Sequence, residues 1–158
     1  MGKKQVCSLA MVETGNLNAV REPQWEQVVL AVDSGAAETV IPDDFMPFIP
    51  LQPSEGSRRG VQYEVANGER LTNLGEKVLA GYTDNEGLER AICAQVTQVN
   101  KPLLSVHKLV QAGHTVVFGP QGAFIRDAAG GDLRLEENGG MYHLKMWVPT
   151  GSGHDAGF

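Results

Sequence analysis

The sequence predicts a small all-β domain with one short helix in its C-terminal half. Three observations lead there. Gly occupies 19 of 158 positions, a frequency that marks many turns. Between those turns run short apolar segments of strand length. Only residues 105–113 combine helical apolar spacing with a start and a stop signal.

The elements follow in order. Residues 1–24 show no clear periodicity and are interrupted by Gly15, Asn16, Asn18 and Pro23, so they read as a loose arm. The domain proper spans residues 25–148. Residues 27–32 form a nearly continuous apolar run suited to a buried strand, and residues 39–41 form a second, stopped by Pro42. Val61, Tyr63 and Val65 alternate with Gln62 and Glu64, the pattern of a half-buried strand. Asn67-Gly68 follows and is a strong hairpin signal, because both residues tolerate positive φ. Residues 71–80 form the return, with Gly75 as a candidate bulge, and residues 84–87 make another turn before a strand at 91–99. In the helix, Ser105 is the N-cap, Val106, Leu109 and Val110 share a face, and Gly113 sits where a left-handed cap belongs. Strands are then expected at 115–118, 123–126, 133–136 and 141–148. In the last of them Tyr142, Leu144, Met146 and Val148 share one face. Residues 149–158 are Gly-rich and read as a flexible tail or linker, such as joins domains of a polyprotein. No internal repeat is visible.

Composition excludes several functions. Hydrophobic residues make up 42% of the chain, enough for a core, and charged residues 20%, too few for a disordered tail. The net charge is −6, and the only basic clusters, Lys3-Lys4 and Arg58-Arg59, are two residues long. A phosphate-binding surface needs more, so no direct nucleic-acid partner is expected. No segment has the length of a membrane span and the N-terminus lacks a signal peptide's apolar core, so no membrane partner is expected. Met1-Gly2 does not open a myristoylation site, since Val6 stands where Ser or Thr is required. Cys7 and Cys93 lie in no Cys-x-x-Cys pattern, which suits reduced thiols and an intracellular, cytoplasmic setting. His107, His114 and His143 do not make a metal-ligand pattern, so neither metal nor organic cofactor is expected. Glu38, Asp43 and Asp44 read as a solvated acidic turn, and Trp25 and Trp147 as core or interface.

One motif carries chemistry. Val32-Asp33-Ser34-Gly35-Ala36 follows directly from the first buried strand. A carboxylate at the end of a rigid strand is held in place, Ser34 is able to bond the backbone of the turn, and Gly35 lets a ligand approach closely. Two such turns facing each other across a two-fold axis would bring two carboxylates together. Such a pair shares one proton, because both cannot ionise easily at close range. No second Asp-Ser/Thr-Gly occurs in the chain, so the partner carboxylate requires a homodimer. The plain alternative is an ordinary strand-to-turn junction, where Asp, Ser and Gly are all favoured.

The surrounding residues bear on that choice. Asp33-Ser34-Gly35-Ala36-Ala37-Glu38-Thr39-Val40 resembles the active-site turn of retropepsins, the single-lobe aspartic proteases of retroviruses and retrotransposons. Pro102-Leu103-Leu104-Ser105-Val106-His107-Lys108-Leu109 resembles their conserved apolar pair leading into a short helix. Ser105 replaces the Gly of the retroviral pattern and is similar to the copia-type retrotransposon branch. Gly113-His114-Thr115-Val116-Val117-Phe118 and Gly140-Met141-Tyr142-His143-Leu144 also fit that branch. Retroviral members pair an Asp at the place of Ala37 with an Arg at the place of Val106; both are missing here, so no unpaired buried charge is left.

The resemblance implies a retropepsin-like β-barrel whose site is completed by a homodimer, and an endopeptidase acting on an extended peptide or polyprotein. It implies roles for Asp33 as catalytic carboxylate, Ser34 as brace across the dimer axis, and Gly35 at the turn. Ala36, Ala37 and Leu104 would bind substrate, as would Ala66, Asn67 and Gly68 on a hairpin acting as a flap. Two rival expectations remain: a retropepsin-like module that binds or dimerises without catalysis, and an unrelated β-barrel carrier with Asp33 in a structural turn.

Overall fold

The computed structural model describes residues 10–12, 24–83 and 89–150. They are mainly β-strand with two short helices. The strands are β1 (Ala10–Val12), β2 (Trp25–Asp33), β3 (Val40–Ile41), β4 (Gln62–Glu64), β5 (Arg70–Thr72), β6 (Gly75–Thr83), β7 (Glu89–Val96), β8 (Leu103–Ser105), β9 (Thr115–Gly119), β10 (Gly122–Arg126), β11 (Asp132–Asn138) and β12 (Met141–Pro149). The helices are α1 (Glu55–Arg58) and α2 (Val106–Gln111).

Six strands pair in a closed circuit. β2 pairs antiparallel with β12, β12 with β6 at Met146↔Thr83 and Trp147↔Tyr82, and β6 with β7 along its length. β7 then pairs parallel with β3, β3 meets β8 at Val40↔Leu103, and β8 returns parallel to β2. Gly81 permits the crossing of β6 and β12, because a Cβ there would collide with the carbonyl oxygen of Trp147. From the first residues of β12 the sheet continues outward through β11 and β10 to β9. The core fills the circuit and this extension together, with Leu30, Ile41, Leu79, Ile92, Leu104, Leu109, Ile125, Leu133 and Leu144 all fully buried or nearly so.

Several elements differ from the sequence expectation. β1 lies inside the supposed loose arm and pairs with β7 at Ala10↔Ala91; three residues are too short to show a period. β12 runs through Pro149, and Thr150 N–H donates to Gln24 O at 2.8 Å, so ordered chain reaches past the expected domain end. The remaining tail, the rest of the arm and the turn at 84–87 lie outside the described residues. In β2, Val28, Leu30 and Ala31 are buried but Val29 is 38% exposed, because the strand has an outer face. Trp25 and Trp147 sit on that outer side, 41% and 39% exposed, rather than in the core. Trp25 packs edge-on against Tyr82 with ring centroids 5.8 Å apart. β12 keeps Leu144, Met146 and Val148 buried with Tyr142 packed beside them, as its alternation requires.

The helices show a similar mixture. α2 begins at Ser105, whose hydroxyl accepts from Lys108 N–H, and ends at Gly113 with φ +94°. There His114 N–H bonds Leu109 O and Gly113 N–H bonds Val110 O, the paired bonds of a Schellman stop. Leu109 is buried but Val110 is 55% exposed, so the apolar face is narrower than its spacing implies. The second helix, α1, was not foreseen. It lacks buried residues and rests on a capping box between Ser54 and Ser57. The loop at 42–49 is held by β6: buried Lys77 donates through Nζ to the carbonyls of Phe45 and Met46, both at 3.0 Å, and Met46 adopts φ 54°.

Candidate active site

The turn after β2 is built by its own residues. Asp33 ends the strand half-buried, and its Oδ1 accepts from Gly35 N–H at 2.7 Å. A Cβ on residue 35 would lie 3.3 Å from that oxygen, so glycine gives the carboxylate room. Ser34 is exposed. The hydroxyl that braces the turn from outside is that of Ser105, which is fully buried. Its Oγ donates to Ala36 O at 2.7 Å while accepting from Lys108 N–H at 3.1 Å, and its N–H donates to Thr39 Oγ1 at 3.0 Å. This follows from topology. β2 and β8 run parallel with Asp33 opposite Ser105, so the Asp33 turn and the start of α2 emerge side by side. Glu38 and Lys108 add a half-exposed ion pair at 3.7 Å between the same two segments.

Asp33 opens into a cleft of about 660 Å³. Gly35, Ala36 and Ala37 of the turn line it, together with Val40, Thr97, Val99 and Leu103. Residues 62–66, the first arm of the β4–β5 hairpin, form its other side. The ionisable lining comprises Asp33, Glu38, Glu64 and Tyr63. Burial pushes the Tyr63 hydroxyl above its ordinary pKa; a hydrogen bond from Asn73 opposes this and the charge of Glu38 adds to it.

The structure thus brings together Asp33, Gly35, Ala36, Ala37 and Ala66 of the residues selected from sequence. Ser34 is adjacent but outside the cleft lining. Leu104 is corrected: it is fully buried in the core, and its neighbour Leu103 faces the cleft instead, because the two alternate across β8. Asn67 and Gly68 occupy the exposed hairpin tip and do not line the cleft. Their turn also differs from the expected pair of positive φ values. Gly68 alone has φ +88°, Gly68 N–H bonds Val65 O, Val65 N–H bonds Glu69 O, and Asn67 Oδ1 accepts from Glu69 N–H. This is a three-residue loop with a glycine bulge. Tyr63, Thr97 and Leu103 were missed in the sequence, where Tyr63 and Thr97 read only as strand residues and Leu103 only as part of the apolar pair before the helix. Among the described residues no cluster of His, Cys, Asp and Glu could hold a metal ion, and no helix is long and apolar enough to cross a membrane. No protein-family model matches the chain, nor does any curated protein or solved structure.

Proposed function

We propose that the chain is one subunit of a homodimeric aspartic endopeptidase of retropepsin type. The observation that carries this reading is the placement of Asp33: a carboxylate at a strand end, on a glycine turn, facing a cleft flanked by a hairpin. The closed circuit of strands supports a barrel of that type, and the Ser105 brace gives a physical reason for the serine of the copia-type pattern.

Two copies meeting at the turn would place Asp33 beside its symmetry mate, and the pair would hold one proton between them. The ionised carboxylate takes a proton from water as the oxygen attacks the scissile carbonyl carbon. The protonated one donates to the carbonyl oxygen, giving a neutral tetrahedral diol. Collapse breaks the C–N bond, with a proton delivered to the leaving amine, and returns the pair to its shared-proton state. No metal or cofactor takes part. The substrate is an extended peptide, a segment of a longer polyprotein, lying between the turn and the hairpin.

The test is digestion of a mixed peptide library near pH 5, read by mass spectrometry, with wild type and Asp33→Asn compared. Cleavage by wild type alone is expected, declining above neutrality as the shared proton is lost. Equal cleavage by both proteins would refute the assignment. A dimer that cleaves nothing would mark a peptide-binding module instead.

A further inference from the structure

Asn73 lies in the short break between β5 and β6 and is only 3% exposed. A buried side-chain amide offers two acceptor sites on oxygen and two donors on nitrogen. In Asn73 all four are used. Oδ1 accepts from Gly75 N–H at 2.8 Å and from Ser54 Oγ at 3.2 Å. Nδ2 donates to Gln95 Oε1 and to Tyr63 Oη, both at 2.9 Å. Gln95 is oriented in turn by Nε2 donating to Glu76 Oε1 at 3.2 Å. One amide therefore joins the cap of α1, the start of β6, the body strand β7 and the cleft arm β4.

The last of these bonds matters most for the cleft. β4 and β5 are three residues each and pair only with one another. A two-stranded ribbon of that size is marginal by itself. Asn73 N–H to Val61 O at 2.9 Å closes the ribbon's base, and among the described residues the ribbon is tied to the body by Val61 N–H to Gly56 O at 2.9 Å, Thr97 Oγ1 to Thr72 O at 2.9 Å, and the Tyr63 hydroxyl on Asn73. The space around the amide is tight as well. A Cβ on Gly56 would lie 2.6 Å from Asn73 Nδ2, so α1 closes on the amide only with glycine there.

We infer that Asn73 is a positioning residue, and that its bond to the Tyr63 hydroxyl latches the β4–β5 hairpin in place over the cleft. This rests on the protease reading for its effect on catalysis, but the latch itself is a property of the chain alone. Asn73 does not line the cleft; it acts through Tyr63, which does.

Tyr63→Phe removes the hydroxyl and keeps the ring, and Gly56→Ala displaces the amide from its other side. Amide hydrogen exchange of the intact chain, read by mass spectrometry, is expected to quicken on the order of tenfold across residues 62–72 in either variant, with residues 25–33 unchanged. In peptide cleavage, Gly56→Ala, at a residue outside the cleft lining, should raise KM while kcat is kept within about twofold. Unchanged exchange at the hairpin, or a uniform rise across the whole chain, would overturn the latch, and so would a loss of kcat with KM intact. Faster hairpin exchange in a protein whose wild type cleaves nothing would uphold the latch and remove the protease reading.

Discussion

Asp127 and Arg90 show how one buried ion pair ties the stability of this fold to pH. Both are almost fully buried, and Arg90 Nη2 lies 2.6 Å from Asp127 Oδ2. Burial pushes the Asp127 carboxyl up. The hydrogen bond and charge of Arg90, with the N–H groups of Gly131 and Ala129, outweigh it and hold the carboxyl below its usual pKa. A folded value below the unfolded one contributes stability above the unfolded pKa, about 3.9. That contribution is lost as pH falls through the lower folded value. Urea midpoints measured from pH 7 downward should therefore hold this contribution through about pH 5 and lose it below about pH 4. Asp127→Asn should cost about 3–5 kcal/mol near neutrality by breaking a buried pair, and its curve should be flatter in acid. The ion pair thus leaves intact the mildly acidic window that a shared-proton carboxylate pair needs. Neither partner was legible as special in the sequence: Arg90 stands just before the strand expected at 91–99, Asp127 precedes a Gly-rich turn, and their meeting depends on long-range packing.

At the scale of elements, the junction of the Asp33 turn with α2 is where sequence and structure agree best. The N-cap at Ser105 and the stop at Gly113 were legible because capping chemistry is local. The second bond of Ser105, to Ala36 O, was not, because it needs the parallel register of β2 and β8. Ser105→Ala should lower stability by about 1–2 kcal/mol, seen as a lower Tm. Under the proposed protease reading it should also reduce kcat on the order of tenfold at temperatures where the fold is fully retained. A change in Tm with kcat untouched would mean that the turn holds itself through Asp33 and Gly35. The hairpin was legible in position but not in geometry: Asn67-Gly68 marked the turn, yet one glycine bulge replaces two positive φ values. α1 was illegible because a four-residue helix without buried residues leaves no apolar period. Asn73 was overlooked because it fell inside the single return strand expected at 71–80, which the structure breaks into β5 and β6.

For the whole molecule, strand content and the alternation of β12 were legible, whereas the closed circuit was not, since pairing order is set by contacts distant in sequence. One chain contributes one Asp33 motif. If the proposed site requires two, cleavage should vary with the square of chain concentration below the dimer dissociation constant and linearly above it. A dilution series of initial rates, set beside sedimentation of the same samples, distinguishes this from a site complete within one chain, whose rate stays linear throughout. The circuit itself depends on a narrow seam. Among the described residues β6 meets β12 at two residue pairs, and Gly81 is the position where any side chain would strike the Trp147 carbonyl. A substitution there need not unfold the chain, because β6 keeps its full pairing with β7. It would instead free two strand margins whose backbone groups seek new partners, and the nearest source of these is another molecule with the same opened seam. The hazard stored at Gly81 is therefore polymerisation of otherwise well-formed chains.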